Sequence, residues 1–197
     1  MAEIKSTMEM VLERAARMAE AAPEATERED LIKTGMKLAA DYINSGNADF
    51  AAPLDSHSPE DQVAIKKGMA QTLLRNIVLP RDEELQSTGQ TALQGILSLS
   101  QNDGEIQTIC QELGQILDQY DQHKEQSTQQ LKDALKAQMQ QQQQTSSGQE
   151  SQEEINPVMH PQFNEEMGKM MTSLNNQYND AMNQRKDMIL QLFSQQA

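Results

Sequence analysis

The stretch Gly104–Gln144, GEIQTICQELGQILDQYDQHKEQSTQQLKDALKAQMQQQQQ, contains no proline and is built from Gln, Glu, Lys, Leu and Ala. These side chains lose little rotamer freedom in a helix and rank among its best formers. One unbroken helix over this stretch would reach about 60 Å at 1.5 Å per residue, more than a compact domain of this size encloses. Its apolar seam runs through Ile106, Ile109, Leu113, Ile116 and Tyr120, lapses from Asp121 to Gln130, and resumes at Leu131, Leu135 and Met139. Such a helix needs a partner along its length.

The last helix, expected over Phe163–Ser194, supplies one. It carries Phe163, Met167, Met171, Leu174, Met182, Ile189 and Phe193, with a polar interval over residues 175–180 interrupted only by Tyr178. An antiparallel pairing in which partner numbers sum to about 302 sets Met139 against Phe163, Leu135 against Met167 and Leu131 against Met171. The same register sets Leu113 against Ile189 and Ile109 against Phe193, and it places the two polar intervals opposite each other. Periodicity alone does not force that coincidence. It argues for a coiled-coil-like helical hairpin closed by residues 145–161, a linker rich in Ser, Gln, Glu and Pro.

Upstream, Ile4, Met8, Val11, Ala15, Met18 and Ala22 step by four and three, which keeps one seam on a helix face. Pro23 should end that helix, because the residue before a proline disfavours the α region. A second helix is expected over residues 24–44, with Leu31, Ile32, Gly35, Leu38, Ala39, Tyr42 and Ile43 on one side. Ser58-Pro59-Glu60-Asp61 is the best helix start in the chain: a hydroxyl at the cap, proline at the first position and acids in the first turn. That third helix should end at Pro80, and a fourth covers residues 82–100. The polar cluster Gln101-Asn102-Asp103-Gly104 then marks a turn. The expected architecture is all-α: a small four-helix N-terminal bundle (1–102), a long helix (103–144), the linker (145–161) and a C-terminal Met-rich helix (162–197) that pairs with the long helix to form an antiparallel hairpin.

Composition narrows the function. The chain has 197 residues and a net charge of −14, with 37% hydrophobic and 3% aromatic residues, 13 Met and one Cys. Such a charge repels a nucleic-acid backbone or an anionic membrane, so neither is an expected partner. One Cys excludes a disulfide within the chain and a polythiolate metal site. No run of about 18 apolar residues is present to span a bilayer, and the first nine residues lack the pattern of a signal peptide. A cytoplasmic location is therefore expected.

The three histidines, His57, His123 and His160, lack the Glu-x-x-His or His-Glu-x-x-His spacing that puts two metal ligands on one helix face. They read as solvated side chains. Two carboxylates beside His57, Glu60 and Asp61, suit the helix dipole better than a metal. Cys110 lies about two turns into the long helix without a cationic neighbour in sequence, and reads as a small buried hydrophobe. The methionines fill an irregular core or furnish an adaptable binding surface. Gly35, Gly68, Gly89, Gly95 and Gly114 each cost about 1 kcal/mol in a helix; they permit close crossings or leave the bundle plastic.

No catalytic, cofactor or metal constellation is legible, so neither cofactor nor enzymatic activity is expected. The leading expectation is a non-enzymatic protein that assembles with itself or holds a protein partner, as an adaptor or chaperone would, through helical faces. Its surface would be Ile106, Ile109, Leu113, Leu131, Leu135, Met139, Phe163, Met167, Met171, Met182, Ile189 and Phe193. The rival expectations are a helical-bundle metal binder or enzyme around His57, Glu60 and Asp61, a protein exported without a cleavable signal, and an acidic mimic of nucleic acid.

Overall fold

Three carboxylate or hydroxyl caps set the helix starts in the middle of the chain. The computed structural model describes residues 7–45, 50–101, 103–145, 157–159 and 161–195, with backbone alone over 7–25, 51–52, 142–145 and 157. It gives α1 (Thr7–Ser45), α2 (Ala51–Asp55), α3 (Pro59–Asn76), α4 (Glu83–Leu99), α5 (Gly104–Thr145), a 3-10 turn (Pro157–Met159) and α6 (Pro161–Gln195). There is no strand among the described residues. The Ser58 hydroxyl accepts from the Asp61 amide at 3.2 Å, with Pro59 first in the helix and Glu60 and Asp61 in its first turn. Asp82 caps α4 by accepting from the Leu85 amide at 2.9 Å. Asp103 caps α5 twice, from the Glu105 amide at 2.9 Å and the Ile106 amide at 3.2 Å. Gln101, at φ 52°, makes the left-handed step that turns the chain out of α4.

Pro23 does not end a helix. α1 runs through it as one 39-residue element, where two helices were expected. Proline removes one backbone donor and crowds the preceding turn, which costs about 3 kcal/mol. Here strong formers flank it on both sides, Ala21-Ala22 and Glu24-Ala25, and the C-terminal half of α1 is anchored on α3. The described residues among the first 100 therefore hold three long helices and the short α2. The N-terminal seam from Ile4 to Ala22 lies outside the described side chains.

α1 crosses α3 with backbones in contact. A Cβ on Gly35 would fall 2.0 Å from the Ile65 carbonyl oxygen, and one on Gly68 would fall 2.1 Å from that of Ile32. Gly95 of α4 lets Tyr42 and Leu73 approach to within 2.8 and 2.9 Å of where its Cβ would be. Close crossing is thus the role of these three. α2 adds Leu54 to the core, and Phe50 just before it meets Tyr42 with ring centroids 4.7 Å apart.

α3 packs on α4 and α6, α4 packs on α5, and α5 packs along α6. One cluster of buried side chains runs through all these elements, from Ala39 and Tyr42 through Ile65, Leu73 and Ile96 to Leu113, Met182 and Ile189. The bundle and the base of the hairpin share a single core.

Candidate functional site

The hairpin forms as the seam predicts, with its register displaced by about one turn. Tyr120 donates to Asn175 Oδ1 at 2.8 Å, the Thr128 hydroxyl meets Met167 Sδ at 3.9 Å, and Arg185 Nε donates to Glu112 at 3.1 Å. His123 Nδ1 and the Tyr178 hydroxyl share a hydrogen bond of 3.1 Å. Partner numbers in these pairs sum to between 295 and 301, below the 302 expected. The polar intervals do face each other, and Tyr178 reaches both Tyr120 and His123, an arrangement that apolar periodicity does not encode.

This polar cluster sits where the bundle ends. Tyr120 and Tyr178 meet edge to face at 5.5 Å, His123 lies 6.1 Å from Tyr178, and Lys124 Nζ is 5.9 Å from the Tyr120 ring centroid. Gln86 of α4 donates to Asp121 at 3.5 Å. The Tyr120 phenol is pushed above its ordinary pKa by burial, helped by the Asp121 charge and opposed by Arg81. Its hydroxyl is a hydrogen-bond donor at neutral pH, with Asn175 as acceptor.

The expected interaction surface is mostly interior. Ile106, Ile109, Leu113, Leu135, Phe163, Met182, Ile189 and Phe193 are buried within the one chain, and Leu131, Met139, Met167 and Met171 are half-buried. The structure turns most of that set into core: the face of α5 and α6 that a second chain would need is already filled by α3, α4 and the opposing helix. Among the described residues, the large apolar side chains that remain open are Val158 and Met159 at the hairpin turn, Met188 on α6 and Val78 after α3. Met159 is 82% exposed.

Cys110 is buried, and burial pushes its thiol up to about 11. It is a packing residue with little thiolate at neutral pH. His57 is half-buried at the α3 cap, where its carbonyl accepts from Gln62 Nε2 at 3.1 Å. Among the described residues no three His, Cys, Asp or Glu side chains come together to hold a metal. His160 lies outside the described residues, as do the side chains of Met8, Met10 and Met18. Among the described residues no helix is long and apolar enough to cross a membrane.

Two contacts that seam periodicity did not single out brace α6, one to α5 within the hairpin and one to the bundle. Arg185 pairs with Glu112 across α5 and α6. Its neighbour Lys186 donates to the Ile77 carbonyl at the end of α3, and burial holds its ammonium below the usual lysine pKa. The pairing of adjacent bases with separate targets has no local sequence signature, since Ile77 is 109 positions away.

Fold and site together define an all-α protein whose bundle grips one end of a long helical hairpin. The chain belongs to a family of unknown function, DUF6657, whose sequence model matches residues 51–191, from α2 to near the end of α6. No curated protein and no solved structure matches it.

Proposed function

We propose that this protein acts without catalysis, in the cytoplasm, as a helical interaction or assembly protein whose working part is the hairpin beyond the bundle. The observation that carries this reading is the hairpin's reach past the shared core. Beyond Tyr120 and Leu174 its seam holds half-buried Leu131, Met139, Met167 and Met170 and ends at exposed Val158 and Met159. Side chains of this kind adapt their shape to another helix, because methionine has three rotatable bonds and a polarisable sulfur.

Light scattering after size exclusion, repeated across protein concentration and salt, tests the reading. A dimer that Met159→Asp or Met167→Asp dissolves makes the hairpin a self-association surface. A monomer that captures a partner in pull-downs, lost in the same variants, makes it an adaptor. A monomer whose captured proteins are indifferent to both variants removes the hairpin from the function.

A further inference from the structure

We infer that the hairpin is built as two segments of unequal stability, and that the part beyond the polar cluster opens as a unit while the bundle stays folded. The contiguous core ends at Tyr120 on α5 and Leu174 on α6, with Met171 packed against it. Further out, Leu135 and Phe163 are buried but belong to no part of that core. In the observed register these two fall opposite each other, and the other apolar side chains around them are only half-buried. Between this small outer core and the main one lies the Asp121–Gln130 interval, where α5 offers Gln, Glu, Lys, Ser and Thr.

Helices in water owe most of their stability to a packed face. Among its described side chains, the outer segment, residues 121–145 of α5 against 161–170 of α6, has two that are buried to hold about 37 Å of α5. The inner segment is held by α3 and α4 as well as by α6. Local opening follows such differences in burial, because each cooperative unit exchanges with its own free energy. The Tyr120–Asn175 and His123–Tyr178 hydrogen bonds stand at the inner edge of the thin seam, and the Thr128–Met167 contact at 3.9 Å lies within it. The two hydrogen bonds at the edge act as the clamp that stops an opening from spreading inward. The use of such an opening, exposing the Met-rich seam to a partner, rests on the proposed function; the two-segment behaviour does not.

Hydrogen exchange on the full-length protein, followed by mass spectrometry across low denaturant concentrations, tests this. Amides over 124–141 and 163–170 should be at least about 30-fold less protected than those over 106–118 and 182–192. Leu135→Ala should accelerate the outer set about 10-fold or more and leave the inner set unchanged. Tyr178→Phe, which removes the hydroxyl shared with His123, should extend fast exchange inward toward Leu117 and Met182. Equal protection with one denaturant dependence along α5, or equal acceleration of both sets by Leu135→Ala, overturns the two-segment inference. An exchange boundary that stays in place in Tyr178→Phe overturns the clamp. Either failure leaves the proposed function to its own light-scattering test.

Discussion

Gly35 and Gly68 are required by the backbone of the opposite helix, and Gly114 is not required by anything within 4 Å of it. The three residues look alike in sequence, each an interior glycine among good helix formers, so only the crossing geometry separates them. Alanine at position 35 or 68 would press a methyl group into a peptide carbonyl, and α1 would have to lift off α3. We expect Gly35→Ala and Gly68→Ala each to cost about 3 kcal/mol or more in a denaturant melt. Gly114→Ala should instead gain about 1 kcal/mol, since it removes chain entropy from the unfolded state at no steric cost. A melt in which all three behave alike would contradict the crossing. Cys110 gives a second check. Its thiol titrates near 9 in an unfolded chain and about 11 here, because burial disfavours the thiolate. The folded state therefore keeps a proton that the unfolded state loses between pH 9 and about 11, and stability falls as pH rises through that window. Relative to Cys110→Ala, the wild-type chain should lose melting temperature progressively above pH 9, and the difference should be flat below it. The inert character of this cysteine was legible from its neighbours; the depth of its burial came from the packing of α4 and α6 around α5.

Helices α3 to α5 were legible because capping and seam periodicity agree in each, and α6 was legible from its seam. Ser58 and Asp82 each satisfy an amide that the first turn leaves without an intrahelical partner. Ser58→Ala and Asp82→Ala should each destabilise by about 1 kcal/mol, with glycine at either position costing only a few tenths. Chemical denaturation of the four variants checks this, and equal effects of alanine and glycine would mean that the caps are not the source. Two features escaped the same reasoning. α2 is five residues long, too short for a period to register, yet Phe50 and Leu54 at its edge enter the core. Pro23 carries a strong local stop signal, and α1 overrides it because the residues after it are fixed on α3 and those around it favour helix. The hairpin register shows the same limit from the other direction. Apolar spacing gave the pairing of α5 with α6, while the contacts of His123, Asn175 and Tyr178 fall in the stretches that a hydrophobic seam treats as a gap.

Reading the seam from Ile106 to Phe193 as a surface for another chain follows from counting apolar side chains on α5 and α6 alone. The count is right, but the other elements consume most of it: Leu113, Met182 and Ile189 are sealed by a core that continues through α3 and α4 to Tyr42 on α1. A sequence shows how much apolar surface a helix carries, and not which of several helices will cover it. The consequence can be tested with one residue. Leu113 is fully buried at the base of the hairpin, where both halves of the chain contribute neighbours. Leu113→Ala should cost about 3–5 kcal/mol, as for a large-to-small change that leaves a cavity. The loss should appear equally in peptides from α1 and α3 and in those from the base of α5 and α6, because a shared core unfolds as one unit. Hydrogen exchange by segment reads this directly, and light scattering should show no change in mass before unfolding. If the variant weakened the hairpin base and left α1 and α3 at full protection, the core would be two cores, and the N-terminal 100 residues would stand alone. The hydrogen bond from Lys186 to the Ile77 carbonyl at the end of α3 argues for the single unit, since it ties α6 of the hairpin directly to the bundle.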